Sequence, residues 1–444
     1  MARPLLAPLT AAQLALWHAQ ARDPDSPAHT TAAAIEIRGP LDPVLFAEAL
    51  HRTVGETDAL RVRIEETPDG PRQFPLEIEP PGHGFALHAA DLQDLGDPDA
   101  VAHAWMRNDL ARPFDLATGP LFRNALFQVG ERRWIWYQRA HRIALDGHGF
   151  ALVVRRVADV YTNLAAGEEA GPSPFGRLAD LAAEEAAYRA SEAYAGDRAH
   201  WRHTFADRPQ APTLAGRTAP AAPTALRATA WLGTDLTERI DALAEAVRAT
   251  WPDVLIATHA CYLAHATRSP EVVLGLPMRG RMGAAALRVP GTVANVLPLR
   301  LAVPPEATFA ELTRQVVVGI RAARRHQRYR HEDLRRDLGL PPAGCPSAGP
   351  QVALMLCDDA PTFAGAPSAV HHLAAGAVDD LTLTLHHRAD TTGLRIDHDA
   401  NPALYEEHEL ATHQDGFLQL LRRVVDADPH AVLCLGPTLS AFPP

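Results

Sequence analysis

The stretch HRIALDG occupies residues 141–147 and separates a segment with the pattern of a strand from one with the pattern of a helix. Residues 121–140 are typical of a β-hairpin that turns at Gly130-Glu131, and its second strand leads directly to His141. Residues 150–165 have apolar side chains at helical spacing. Because α/β folds commonly present reactive side chains at strand-to-helix connections, this loop is the candidate functional site.

Helix and strand patterns alternate on both sides of this loop. Residues 31–38 alternate as a strand does, and residues 60–65 form a second strand pattern. Between them, Asp42-Pro43 supplies a helix cap and a first-turn proline for a helix that runs to about Glu56. The second half has helix patterns at 235–249 and 251–266 and strand patterns at 271–276 and 293–301. The chain is therefore predicted to be α/β throughout.

The length of 444 residues exceeds that of a typical single core and predicts two subdomains. The turn-rich segment GEEAGPSP at 167–174 is the preferred boundary, which gives an N-terminal subdomain at 1–174 and a C-terminal one at 175–444.

The charge balance limits the classes of partner. The formal net charge is −11, and an acidic surface repels nucleic-acid phosphates and anionic membranes, so neither is an expected partner. No apolar run reaches the ~18 residues of a membrane span. The four cysteines have no short paired spacing, so neither a zinc site nor a disulfide framework is indicated, and a reducing, cytoplasmic location fits best.

Neighbouring histidines do not indicate a metal site. The pairs His371-His372 and His386-His387 are adjacent in sequence, and adjacent side chains on a strand point to opposite faces. His331-Glu332 lacks a second histidine four residues further on, as a zincin helix requires. No metal and no cofactor are expected.

A series of short motifs, in order along nearly the whole chain, resembles the condensation-domain family of nonribosomal peptide synthetases. The motifs are LTAAQLALW at 9–17, ALR at 59–61, PFDL at 113–116 with GPLFR at 119–123, HRIALDG at 141–147, GTVANVLPLR at 291–300 and HQRYRHEDL at 326–334.

The resemblance implies two chloramphenicol-acetyltransferase-like subdomains in a V-shaped pseudo-dimer, with a tunnel between them for carrier-bound substrates. The C-terminal subdomain is expected to contribute crossing floor-loop and latch segments, the latch near Asp379-Asp380-Leu381.

In this family the loop reads His-His-x-x-x-Asp-Gly, and its second His is credited with positioning or deprotonating the acceptor amine. That position is Arg142, whose guanidinium stays charged and has no accepting nitrogen, so Arg142 cannot be a general base. The resemblance implies a packing role for His141 and a salt bridge between Asp146 and Arg61. Gly147 is expected to permit a turn that a side chain would hinder.

Two further positions complete the site expected from the resemblance. Asn295 is expected to line the tunnel. The second family motif is partly degenerate, because Glu56 and Thr57 stand where the family has Arg and His.

The His-Arg-x-x-x-Asp-Gly variant resembles the X-domain of glycopeptide-antibiotic synthetases. That resemblance implies a catalytically inactive domain that recruits cytochrome P-450 oxygenases to a peptide on a neighbouring peptidyl carrier protein domain, next to other synthetase domains.

The alternative is an active condensation domain of the siderophore-synthetase type, which forms an amide or ester bond between carrier-bound donor and acceptor. Tunnel geometry or another residue would then activate the acceptor, with His141 the first candidate. A cyclisation domain would need Asp in place of His141, and an epimerisation domain would need the second His, so both are disfavoured.

Overall fold

The structure is a computed structural model that describes residues 7–76, 87–340, 349–356, 360–387 and 393–432. Within these ranges the chain alternates between helices and strands, as the sequence patterns predict.

The α-helices are α1 (Ala11–Arg22), α2 (Pro43–Glu56), α3 (Pro98–Leu110), α4 (Gly147–Ala165), α5 (Leu178–Arg189), α6 (Glu192–Thr204), α7 (Thr234–Ala246), α8 (Trp251–Thr267), α9 (Ala284–Arg288), α10 (Phe309–Arg325), α11 (His331–Asp337) and α12 (Glu407–Asp426). A 3₁₀ turn covers Asp58–Leu60. The strands are β1 (Ala7–Pro8), β2 (Thr30–Arg38), β3 (Val62–Thr67), β4 (Gly70–Pro75), β5 (His88–Asp91), β6 (Phe122–Gly130), β7 (Arg133–His141), β8 (Leu226–Leu232), β9 (Glu271–Met278), β10 (Asn295–Ala302), β11 (Gln351–Leu356), β12 (Ser368–Ala375), β13 (Leu381–His387) and β14 (Leu394–Ala400).

By spatial compactness the chain divides into two units, and each collects separate stretches of sequence. The first unit contains residues 1–192, 279–294 and 359–377, and the second contains 193–278, 295–358 and 378–444. The boundary after residue 174 stays a prediction.

The first unit is built on a five-stranded sheet in the order β12-β2-β7-β6-β5, beside a small sheet in the order β1-β4-β3. β2 is a central strand with an alanine- and isoleucine-rich sequence, and both of its faces are buried. Ala33, Ile35 and Ile37 pack in the larger core with residues of α2 and α4. Ala32 and Ala34 face a smaller core that includes residues of α3. Small side chains on β2 let helices cover both faces of the sheet.

The second unit is built on a six-stranded sheet in the order β10-β9-β11-β13-β14-β8, in which β11 runs parallel to β9 and β13. Its central helix is α8, where every side chain from Val254 to Ala264 is buried. A helix that is apolar on all sides belongs in the middle of a core, and residues of α7, α10 and α12 share that core with α8.

Polar side chains cap the first two helices, and the cap at Asp42 is the one that the sequence predicts. Thr10 caps α1, and its side chain accepts a hydrogen bond from the Gln13 backbone N–H. The Asp42 carboxylate caps α2 by accepting from the N–H groups of Val44 and Leu45, at 2.8 and 3.2 Å. Strand ends agree less well, since β10 begins at Asn295 rather than at Val293. Within the described ranges, no helix has the length and apolar composition required to cross a membrane.

Candidate functional site

The loop predicted from the sequence connects β7 to α4 in the first unit. β7 ends at His141, and α4 begins at Gly147 with Asp146 as its N-cap. The Asp146 carboxylate accepts from the Gly149 N–H at 2.8 Å, as is usual for an aspartate at this position. Residues 143–146 are buried, so the loop is part of the core and not a surface turn.

Asp146 is fixed by a segment that lies far away in sequence. Its carboxylate forms a buried salt bridge with Arg281, with Nη2 and Oδ1 2.8 Å apart. The other carboxylate oxygen accepts from the backbone N–H groups of Val293 and Ala294, at 2.9 and 3.0 Å. Arg281 also donates to the carbonyl oxygens of Ala286, Val289 and Gly291. Residues 281–294 therefore form a frame that fixes the loop.

The predicted salt bridge between Asp146 and Arg61 is wrong. Arg61 pairs with Asp58, with Nη2 and Oδ1 2.8 Å apart, and it lies beside the 3₁₀ turn after α2. A guanidinium is indeed the partner of Asp146, but residues 279–294 supply it. Arg281 lies in a loop without helical or strand periodicity, so no pattern in the sequence distinguished it from other arginines.

The predicted constraint at Gly147 is also wrong. Gly147 has no left-handed φ angle, and a Cβ atom there would meet no described heavy atom within 4 Å. The crowded position is Gly149, where a Cβ would lie 2.8 Å from the Gly291 carbonyl oxygen. The close approach of loop and frame therefore requires glycine two residues later than predicted.

His141 is 2% exposed, and both of its ring nitrogens are engaged. The Ile143 backbone N–H, which can only donate, points at Nδ1 at 3.0 Å, so Nδ1 carries no proton. Nε2 therefore carries the proton and donates it to Gln20 Oε1 at 3.0 Å. The Gln20 amide is oriented in turn because its Nε2 donates to three carbonyl oxygens, those of Asp23, Pro24 and Ser26.

Burial, together with the neighbouring His29, Arg142 and Arg139 side chains, lowers the pKa of His141 to about 3. His141 is therefore a neutral imidazole with no lone pair left for a substrate. This environment argues against His141 as the group that activates an acceptor.

Arg142 is half-buried, and both its backbone N–H and its backbone carbonyl group form hydrogen bonds. Its N–H donates to the His29 carbonyl oxygen at 2.8 Å, and its carbonyl oxygen accepts from the Thr292 hydroxyl. The guanidinium lies over Gly376, where a Cβ atom would overlap Arg142 Nη1. Gly376 has a φ of 107°, so both its backbone conformation and the close approach of Arg142 favour glycine.

The degenerate second motif forms its own ion pair. Glu56 accepts two hydrogen bonds from Arg156 of α4, at 2.8 and 2.9 Å, and the pair is largely buried. These contacts and those of Arg52 lower the pKa of Glu56, although burial opposes them. Thr57, the residue that follows α2, donates from its hydroxyl to the Thr53 carbonyl oxygen in the last turn of that helix. Both residues thus fasten the end of α2.

Asn295 lies in the second unit and is 3% exposed. Its amide nitrogen donates to the carbonyl oxygens of Gln327 and Tyr329, at 3.1 and 2.8 Å, and its amide oxygen accepts from the His331 N–H at 3.2 Å. These bonds connect the first residue of β10 to the turn between α10 and α11. Its place on a tunnel wall stays a prediction.

Among the described residues, no three His, Cys, Asp or Glu side chains are grouped so that they could bind one ion. His386 is instead hydrogen-bonded to Asp397, with Nε2 and Oδ2 2.9 Å apart. His387 lies in β13.

Known proteins share the sequence pattern of this chain over nearly its whole length. A model of the condensation domain matches residues 6–433. The chain is 46% identical over 425 residues to an isonitrile lipopeptide synthase of Streptomyces coeruleorubidus, covering 96% of this chain and 29% of the relative. It is 45% identical over 417 residues to a dimodular nonribosomal peptide synthase of Bacillus subtilis, covering 93% of this chain and 17% of the relative. The chain therefore spans less than a third of these two relatives.

Solved structures agree with this assignment. The starter condensation domain of rhizomide synthetase, in complex with C8-CoA, has a TM-score of 0.89 and 35% identity, with 97% of each chain covered. The first condensation domain of the calcium-dependent antibiotic synthetase has a TM-score of 0.87 and 35% identity, with 96% of this chain and 97% of that chain covered. The predicted α/β condensation-domain fold is confirmed.

The predicted function as an inactive X-domain that recruits P-450 enzymes is wrong. The similar proteins are synthetases and their starter or first condensation domains, which favour the alternative of an active enzyme. Arg142 is a single substitution, whereas the identity to these synthetases extends over 93–96% of the chain. The chain belongs to the condensation domain family of nonribosomal peptide synthetases.

Proposed function

We propose that this chain is an active condensation domain, which joins an acyl group bound as a thioester to the amine of an acceptor. The observation that carries this proposal is the 46% identity to the isonitrile lipopeptide synthase over 96% of the chain. The identity extends over the whole domain and therefore does not depend on the single position 142.

The chemistry is nucleophilic substitution at a thioester. The amine nitrogen attacks the carbonyl carbon, the new C–N bond forms, the C–S bond breaks, and the sulfur leaves as a thiol after it takes up the proton that the amine loses. Rate enhancement of such a two-substrate reaction depends strongly on fixed geometry. The four hydrogen bonds to the Asp146 carboxylate would supply that rigidity.

We infer further that the donor is a fatty acyl group without an α-amino group. One relative is named for a lipopeptide product, and one similar structure is a starter condensation domain bound to C8-CoA. The partners in the synthetase would be a peptidyl carrier protein domain and neighbouring synthetase domains. A cytoplasmic location stays a prediction.

The test is a single-turnover assay on the purified chain with octanoyl-coenzyme A as donor and a panel of aminoacyl N-acetylcysteamine thioesters as acceptors. Products are identified by mass spectrometry. We expect an octanoyl amide with at least one acceptor. An amide formed only from aminoacyl donors would contradict the fatty acyl assignment, and no amide with any pair would contradict the proposed activity.

A pair of variants connects the activity to the loop. Asp146→Asn leaves the buried Arg281 guanidinium without its carboxylate, so we expect the rate to fall by about 10²-fold. Asp159→Asn is the matched control, because Asp159 is exposed on the same helix, α4, and should keep the unmodified rate.

A further inference from the structure

Neither His141 nor Arg142 can act as a proton acceptor for the reaction. Amide formation removes one proton from the amine nitrogen, and a nearby imidazole lone pair is well suited to accept it. The Arg142 guanidinium has no lone pair to offer. His141 uses both ring nitrogens, one as an acceptor from Ile143 and one as a donor to Gln20. A proton acceptor at this loop must therefore be a third side chain that lies beside these two residues.

His29 is the imidazole that the sheet brings to this position. β2 and β7 pair with Thr30 opposite His141, so His29 lies opposite Arg142, and the two are joined by the backbone hydrogen bond of 2.8 Å. The ring centroids of His29 and His141 are 6.2 Å apart, with an angle of 61° between the planes. His29 is therefore a direct neighbour of the loop, although 112 residues of sequence separate it from His141.

The His29 ring has its nitrogens available. No residue that the structure describes hydrogen-bonds to the ring, and its nitrogens are not among the fully buried polar atoms without a partner. Burial, followed by the charges of Arg142 and Arg22, lowers its pKa to about 4, and Asp23 opposes this shift. The ring is therefore neutral at neutral pH and keeps one unprotonated nitrogen.

We propose that His29 is a catalytic residue of this domain, whose ring accepts the proton that the acceptor amine loses during amide formation. The inference rests on the proposed condensation activity. Attack by the amine forms the C–N bond and gives the nitrogen a positive charge, and His29 removes one proton from it. The C–S bond then breaks with its electron pair on sulfur, and the proton passes from His29 to that sulfur to give the free thiol.

Binding can be tested without turnover. The probe is the leucyl N-acetylcysteamine thioester alone, titrated into the unmodified chain while the histidine ring signals are followed by NMR. The His29 signal is assigned as the one that is missing in His29→Ala. We expect the His29 signal to shift on saturation, while the signal of the exposed His18 on α1 stays in place. An unmoved His29 signal at saturation would overturn the proposal.

The single-turnover rate tests catalysis. We expect His29→Ala to lose about 10²–10⁴-fold in rate, the usual contribution of a general base. His29→Gln should lose nearly as much, because an amide can accept a hydrogen bond but not a proton. His18→Ala is the matched control and should keep the unmodified rate. Thermal unfolding of each variant identifies any that fail to fold.

Rescue separates proton transfer from a structural role. In His29→Ala, we expect added imidazole, or the further change Arg142→His, to recover at least about tenfold of the lost rate. A full rate in His29→Gln, or no recovery by either route, would overturn the proposal. If the unmodified chain forms no amide with any substrate pair, the proposed function fails, whereas the NMR titration still decides whether the amine meets His29.

Discussion

Asp146 in the first unit and His259 in the second are both buried polar side chains, but their surroundings differ. The Asp146 carboxylate accepts four hydrogen bonds, from Gly149, Arg281, Val293 and Ala294. His259 on α8 is fully buried, and neither of its ring nitrogens has a hydrogen-bond partner in the described structure. A fully partnered buried group fixes a geometry, whereas a buried group without partners only reduces stability.

The largest effect is expected when the partner set of Asp146 is broken. Arg281→Met keeps an unbranched apolar stem but removes the guanidinium and leaves a buried carboxylate without its cation, so the free energy of unfolding should fall by ~3–5 kcal/mol. Denaturant unfolding measures this change. Arg288→Met is the control, because Arg288 is exposed on α9 in the same segment. Equal stabilities of the two variants would show that the Asp146 network contributes nothing.

Asn295 in the second unit also has a full set of hydrogen-bond partners, and its loss should reduce the free energy of unfolding by a smaller amount. Asn295→Ala removes three hydrogen bonds that connect β10 to the turn before α11. Because the two carbonyl groups and one N–H group lose their partner, we expect a loss of ~1–3 kcal/mol in the free energy of unfolding. Faster hydrogen exchange at the His331 amide would locate the effect. Unchanged exchange there would contradict this account of Asn295.

His259→Leu should have the opposite sign, since it removes polar atoms that have no partner. Burial and the neighbouring His398 lower the pKa of His259 to about 3, from 6.5. The unfolded chain therefore binds more protons between pH 6.5 and 3, and the folded state loses stability as the pH falls through that window. Between pH 6.5 and 3, the free energy of unfolding of His259→Leu should therefore fall less steeply than that of the unmodified chain, by up to ~1.4 kcal/mol per pH unit.

Urea unfolding at several pH values measures this slope. His408→Leu on α12 is the control, because His408 is exposed and should leave the slope unchanged. A His259→Leu variant with the slope of the unmodified chain would show that His259 is not a source of acid sensitivity.

Local signals predicted the elements and the loop well. The predicted cap Asp42 begins α2, because a short polar side chain next to an apolar periodic segment satisfies the first free N–H groups. The end of β7 at His141 also followed from the hairpin pattern. These features depend on a few neighbouring residues and are therefore readable in one sequence.

Side-chain contacts between residues far apart in sequence could not be predicted in the same way. The family resemblance implied Arg61 as the partner of Asp146, but in the structure the partner is Arg281, which is 135 residues away. Gln20, which accepts the hydrogen bond from His141 Nε2, comes from α1. Neither contact has a local pattern, because long-range side-chain pairs depend on which segments the sheet and loops bring together.

The sequence by itself determined the α/β class, the family resemblance, the position of the candidate loop and the arginine at position 142, because each depends only on local pattern or residue type. Only the tertiary structure decided which cation fixes Asp146, that both nitrogens of His141 are engaged, and that His29 lies beside Arg142. The physical reason is that proton acceptors and buried charges are defined by their neighbours in space, and those neighbours are set by the packing of distant segments.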